Sequence, residues 1–240
     1  MDEQKKSHLL EWLQRQHFFP RTQIVYVAVH GSRLYGTSGT DSDTDLYVVF
    51  EDEQRLTEKG NTVNYKDETV GSIDITYFSK KEFLERIKIH DYYAMEAIFV
   101  PSEFVIIGDA NEYRINIKIH PPYIRQSFGQ ICRNAWNRGC KKLENETTEQ
   151  EHYIGKKSLY HCLRIFIYAD QLYRTGKIDF YDPRCIEVNQ FYSNIKNKAV
   201  SELVENGKIK KDYQDMYKKY DQKFREIPNE EQYRQQLKKK

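Results

Sequence analysis

Residues 31–46 read Gly-Ser-Arg-Leu-Tyr-Gly-Thr-Ser-Gly-Thr-Asp-Ser-Asp-Thr-Asp-Leu, and two short apolar runs, Ile24 to Val29 and Leu46 to Phe50, frame them. Each run has the length and the β-branched or aromatic content of a buried strand. The stretch between them is small, polar and glycine-rich, so it reads as a loop. The chain must therefore form a strand, a glycine turn, a loop and a second strand entered through Asp43 and Asp45. Strand residues two apart point to the same side. Asp43, Asp45, Tyr47 and Val49 are thus expected on one face, and Thr44, Leu46, Val48 and Phe50 on the other, where they can bury.

Two neighbouring carboxylates repel unless a cation neutralises them. Mg²⁺ suits such a pair, because it takes oxygen ligands and leaves positions for substrate phosphates. The plainer alternative is a loop whose aspartates only cap or turn the chain. A calcium loop is the sharper rival, since Asp41, Asp43 and Asp45 match the first three ligand positions of an EF-hand. Its sixth position here is Leu46 instead of Gly, and its twelfth is Asp52 instead of Glu, which sets that reading aside. Asp74 is the third carboxylate, midway along the apolar run Gly71 to Phe78. A charge there needs a partner or a metal. If that strand lies beside Asp45–Phe50, Asp74 joins the pair, able to bind a metal and help deprotonate a hydroxyl.

Gly31 and Ser32 follow the first strand directly. Glycine lets the backbone approach phosphate closely, and N–H groups with a Ser hydroxyl can hold anionic oxygens. The G-x-x-x-x-G-K-[ST] pattern of a P-loop is absent. Gly31-Ser32, then Asp43-x-Asp45, then an isolated strand Asp74, resembles the DNA polymerase beta superfamily of nucleotidyltransferases. The spelling Gly-Ser-Arg-Leu-Tyr-Gly followed by Ser-Asp-Thr-Asp-Leu is similar to its poorly characterised bacterial and phage members. The segments from Lys157 to Arg164 and from Leu172 to Gly176 resemble that group's helical half. The likeness is strong over residues 24–50, fair over 70–110 and 150–180, and absent beyond 205. It implies an α+β fold, a small mixed sheet with flanking helices followed by an all-α C-terminal half. It further implies two-metal transfer of an NMP from an NTP, with Mg²⁺ or Mn²⁺ held by Asp43, Asp45 and Asp74. ATP is the default donor by abundance only.

Other residues extend the candidate site. Lys157, His161 and Arg164 stand at i, i+4 and i+7, so they line one helix face. That face could meet a triphosphate, or could be an ordinary solvated stripe. Leu159, Leu163, Phe166 and Ile167 are expected to pack inward. Arg33 and Tyr35 are expected to stack on or clamp the nucleotide. Two features mislead. Arg114 and His120 have the spacing of a helical ribonuclease motif, but Ile115, Ile117 and Ile119 alternate as in a strand. His30 reads as a packed strand-end residue, with no Ser or Cys nucleophile placed beside it.

Along the chain, residues 3–17 read as an amphipathic helix, 51–62 as a polar loop, and 80–90 as a helix capped by Ser79. A short helix over Asp91–Phe99 and an edge strand over Phe104–Ile107 follow. Past Pro121-Pro122 the pattern is helical over 123–143, 149–175, 184–205 and 209–226, with a frayed tail at Lys238–Lys240. The division is a catalytic domain at 1–115 and a helical domain at 116–240. Charge divides similarly. Residues 1–110 hold 12 Lys and Arg against 19 Asp and Glu, a net of −7, and residues 111–240 hold 26 against 17, a net of +9. The basic half could attract a polyanion, so RNA is a candidate partner and an RNA 3′ end a candidate acceptor beside small-molecule and protein hydroxyls. The four cysteines lie far apart without C-x-x-C, which points to reduced thiols and a cytoplasmic setting. No apolar run approaches a membrane span, and no signal-peptide core is evident. The second reading of the whole is a nucleotide-binding regulator, or an antitoxin-like partner that nucleotidylates or binds a protein.

Overall fold

The computed structural model describes residues 24–39, 42–51 and 64–239, the backbone of 56–58 and 61–63, and the helical positions Ser7 and Glu11. Apart from those two positions, the helix expected over 3–17 lies outside the described residues. The chain forms two compact units, residues 1–89 with 93–117, and residues 90–92 with 118–240.

The first unit is built on a five-stranded mixed sheet. Its strands are β1 (Ile24–His30), β2 (Thr44–Phe50), β5 (Tyr65–Val70), β6 (Ile73–Ser79) and β7 (Val105–Ile107), in the order β5-β6-β2-β1-β7. β2 and β6 run parallel, and the other neighbours are antiparallel. A separate hairpin, β3 (Leu56–Glu58) with β4 (Asn61–Val63), replaces the loop expected over 51–62. The apolar run from 73 takes its place beside β2, as the site requires, and Val105–Ile107 forms an edge.

β5 is absent from the sequence reading. Its residues, Tyr-Lys-Asp-Glu-Thr-Val, are too charged for a buried strand. As an edge strand it suits them, since charges at an edge discourage pairing with another chain. Gly71-Ser72 makes the two-residue turn into β6, with Gly71 at φ +62°, a backbone region that costs glycine little.

One face of the sheet is apolar across its three inner strands: Val27 and Val29 from β1, Leu46, Val48 and Phe50 from β2, and Ile75 and Tyr77 from β6 bury together, with Lys66 and Glu68 of the edge strand β5 beside them. Along the opposite face the central rows are aromatic and covered. The helices α2 (Lys80–Lys88) and α3 (Tyr92–Phe99) lie there: Phe83 packs on Tyr26 and Phe78, and the Tyr26 hydroxyl donates to the Ala97 carbonyl at 2.7 Å. Ser79 caps α2, its Oγ accepting from the Glu82 N–H at 3.2 Å. The alternating isoleucines at 115–119 form no strand: α4 (Asn111–Arg114) precedes them, and Ile115 is 79% exposed.

The second unit centres on a pair of long helices, α5 (Pro121–Asn145) and α6 (Glu149–Thr175). Residues 158–172 of α6 are all buried except His161, the pattern of a helix enclosed on every side. Gly176, at φ +72°, ends it. The helix expected over 184–205 stops at Ile195 as α7 (Pro183–Ile195). A small hairpin, β8 (Val204–Glu205) with β9 (Lys208–Ile209), follows. Asn206 and Gly207 both have positive φ, 51° and 71°, the demand of a tight hairpin turn that Asn-Gly meets. Helices α8 (Lys211–Phe224) and α9 (Glu230–Leu237) complete the unit. The second ends just ahead of the tail expected at Lys238–Lys240 and opens on the reciprocal Asn229–Gln232 cap. Among the described residues, no helix is long and apolar enough to cross a membrane.

Candidate active site

The open end of the aromatic sheet face carries the polar residues. In β2 and β6 the register sets Asp45 directly beside Asp74. On the other flank of Asp45 the register partner is His30, and on the other flank of Asp74 it is Thr69. His30, Asp45, Asp74 and Thr69 therefore make one row across four strands. They line a cleft of about 350 Å³ together with Asp67, Glu68, Ile75 and Thr76. Period-two alternation puts all four side chains of the row on the same side.

Gly31 closes one wall. Its φ is +68°, and a β-carbon built on it would fall 1.8 Å from Oδ2 of Asp45. The backbone of the turn thus lies against the carboxylate, which only glycine permits. Ser32, next in the chain, is half-buried. Behind it a short helix, α1 (Gly31–Tyr35), leads the chain away and ends at Gly36 in the left-handed conformation.

Hydrogen bonds orient the acidic side chains. Thr69 Oγ1 donates to Asp74 Oδ1 at 2.6 Å. Asp67 accepts from Thr76 Oγ1 at 2.8 Å and from the Tyr65 hydroxyl at 2.7 Å. Burial first, and then the Asp67 hydrogen bond, push the Tyr65 phenol well up, so it remains a donor. The Arg86 guanidinium lies 4.4 Å over the Tyr65 ring. Lys66 pairs with Glu68 at 3.2 Å.

The remaining sequence candidates fall in different settings. Asp43 is exposed and stands one residue ahead of β2, so the pleat does not fix its direction. Arg33 donates from Nε to Thr44 Oγ1 and from Nη2 to the Ser42 carbonyl, each at 2.8 Å, which ties the loop to the head of β2. Tyr35 is buried, and its hydroxyl donates to Glu96. In the helical unit Lys157 is exposed and His161 half-buried. Arg164 is buried, its Nη2 within 2.8 Å of His161 Nδ1 and 3.3 Å of the Tyr92 hydroxyl, with the rings of Tyr160 and Tyr168 beside it. Leu159, Leu163, Phe166 and Ile167 are all buried, as their spacing requires.

Among the described residues, no three His, Cys, Asp or Glu side chains gather in a metal-holding arrangement. Asp45 and Asp74 still form an adjacent pair of hard oxygen donors at the cleft. Mg²⁺ commonly takes one or two carboxylates and completes its shell with water and substrate phosphate, so the pair fits that ion. Thr69, Glu68 and Asp67 escaped the sequence reading because β5 did. His30 stacks on Tyr47, as a packed strand-end residue should, with centroids 3.7 Å apart and planes 9° apart, and it also lines the cleft.

No family model matches the chain, and no curated protein matches it. Solved structures similar to it include a nucleotidyltransferase-like protein from Exiguobacterium sibiricum, at 8% identity and TM-score 0.34, over 92% of this chain and 75% of that one. Another is the spectinomycin adenyltransferase of Enterococcus faecialis, solved with ATP and spectinomycin, at 11% identity and TM-score 0.46, over 93% of this chain and 100% of that one.

Proposed function

We propose that this chain is a metal-dependent nucleotidyltransferase that moves an NMP from an NTP, by default ATP, to a hydroxyl acceptor and releases pyrophosphate. The observation that carries this reading is the in-register pair Asp45 and Asp74 at an open sheet end, with the Gly31 backbone lying against Asp45. Asp45 and Asp74, with Asp43 alongside, would hold Mg²⁺ or Mn²⁺. The bound ion would supply charge neutralisation for the phosphates.

Each protein group then has a definable task. The Gly31–Ser32 backbone and the Ser32 hydroxyl bind β- and γ-phosphate oxygens. Asp74 orients the acceptor hydroxyl and takes its proton as the oxygen attacks the α-phosphorus. Thr69 occupies Oδ1 of Asp74 and leaves Oδ2 for that work. In the helical unit, Lys157, His161 and Arg164 are proposed as nucleotide-binding groups, Lys157 being the exposed cation of the three. Asp67 adds negative charge to the cleft that holds Asp45 and Asp74, which disfavours a polyanion there, whereas the basic second half favours one.

Incubation of the purified chain with Mg²⁺ and labelled NTPs tests the reading. Total RNA, an aminocyclitol and a protein extract serve as separate acceptors. We expect label transfer with one acceptor class and none with Asp45→Asn. In metal-free buffer that variant should melt no lower than wild type, because a neutral amide beside Asp74 relieves like-charge repulsion. MgATP binding without any transfer would favour the regulator reading, and transfer surviving in Asp45→Asn would reject the assignment.

A further inference from the structure

The geometry points to Glu96 as a positioning residue that sets the spacing between the Gly31–Ser32 turn and Asp45; this rests on the nucleotidyltransferase reading. Glu96, on α3, is only 1% exposed. Its Oε1 accepts the Tyr35 hydroxyl at 2.7 Å, and its Oε2 accepts the Tyr47 hydroxyl at 2.7 Å. The two phenols come from the two arms of the motif. Tyr35 closes α1, the helix that begins with Gly31 and Ser32. Tyr47 is two residues beyond Asp45 on the same face of β2. One buried carboxylate thus clasps the turn assigned to phosphate and the strand that carries the proposed metal ligand.

Chemistry favours a clasp over incidental packing. An ionised carboxylate only accepts, and each of its oxygens here takes a phenol donor. Hydrogen bonds to a charged acceptor are shorter and stronger than neutral ones, and a buried carboxylate lacking its donors is costly. The carboxylate is rigid, so the two hydroxyl positions are fixed relative to each other, and the segments bearing them follow. Tyr47 also carries the stacked His30 ring, which extends the same clasp to the cleft wall. Apolar residues at these three positions would pack as well without setting that distance.

Tyr35→Phe and Tyr47→Phe each remove one hydroxyl and keep the ring, so they separate positioning from folding. Two quantities are measured on the full chain: the dissociation constant of MgATP by calorimetry, and pyrophosphate release from saturating MgATP with water as acceptor. Tyr35→Phe frees the phosphate turn and should weaken MgATP about fivefold or more with turnover little changed, the scale of one lost hydrogen bond to a charged group. Tyr47→Phe frees the Asp45 strand and should lower turnover by a similar factor with affinity little changed. Glu96→Gln can still engage both phenols, with one hydroxyl reversed, and should sit between wild type and Glu96→Ala. The double Phe variant should be no worse than Glu96→Ala, because all three groups act as a unit. Lower melting temperatures with wild-type affinity and turnover would overturn the inference, as would two Phe variants that shift both quantities alike. A wild-type chain that neither binds MgATP nor releases pyrophosphate in an Asp45-dependent way would reject the nucleotidyltransferase reading and this inference with it.

Discussion

Gly31 has no room for a side chain, and the obstacle is the Asp45 carboxylate. That contact explains the residue better than flexibility does. A motif of two residue types fourteen positions apart becomes one packed unit, in which a side chain at position 31 would collide with the carboxylate at 45. Thr69 is the quieter member of the site. Its hydroxyl fixes Asp74 by a 2.6 Å hydrogen bond, and valine of the same shape would remove only that bond. We predict that Thr69→Val lowers turnover about tenfold at saturating MgATP, the scale of one hydrogen bond to a charged group. Thr69→Ser should restore it, and in an Asp74→Asn background Thr69→Val should have no further effect. Steady-state kinetics on the four variants check this. A uniform loss in all backgrounds would mean that Thr69 acts elsewhere.

At the scale of elements, the α5–α6 pair depends on two glycines that face each other. A β-carbon on Gly139 would come within 2.5 Å of Leu159 Cδ2 and 3.1 Å of the Gly155 carbonyl oxygen. One on Gly155 would meet Leu143 Cγ at 2.8 Å and the Gly139 carbonyl oxygen at 3.2 Å. Leucine can rotate, but backbone cannot. Gly139→Ala or Gly155→Ala must therefore push the helices apart, at about 1–3 kcal/mol. Alanine's better helix propensity offsets up to about 1 kcal/mol of this. Urea denaturation should show a net loss for each, and a stabilised Gly155→Ala would contradict the contact. Local signals elsewhere were readable in advance. The Ser79 cap, the Gly176 stop and the apolar row of α6 all stand where their spacing places them. The Asn206-Gly207 turn carried an equally local signal, which helical periodicity obscured.

At the scale of the whole molecule, burial governs the thiols. Cys132, Cys162 and Cys185 are buried and Cys140 is half-buried, none in a disulfide. Desolvation pushes Cys140 and Cys185 up to about 12 and raises Cys132 well above the usual thiol range. Thiolate is the reactive form, so iodoacetamide at pH 8 should label the native chain slowly and the urea-unfolded chain at all four sites. Rapid native labelling of Cys185 would contradict its packing. Acid stability has a definite source as well. The Arg184 guanidinium beside Asp182 holds that carboxyl below its ordinary value. A folded pKa below the unfolded one gives stability that is complete above the unfolded value of about 3.9 and lost as pH falls through the folded one. Asp182→Asn should thus melt lower at pH 7 and show a flatter melting profile below about pH 4. An unchanged slope in that acid range would assign the pH dependence to other carboxylates.

What the sequence determined by itself is what neighbours in the chain determine. Alternation with a period of two fixes which residues of β2 share a face, and glycine between two apolar runs fixes a turn. Those local facts yielded β1, β2, β6 and β7, the Gly31–Asp45 motif and the interior of α6. The isoleucines at 115–119 show their limit, because alternation makes a strand only where a partner edge exists. Which strand lies beside which, and in what register, depends on pairing between distant segments. Only the tertiary structure could therefore put Asp74 beside Asp45, bring the charged edge strand β5 to supply Thr69, and bury Glu96 between Tyr35 and Tyr47. Glu96 and Tyr35 are 61 positions apart. No local propensity reaches that far, and the hydrogen bond joining them exists only because two separate elements pack on the same face of the sheet.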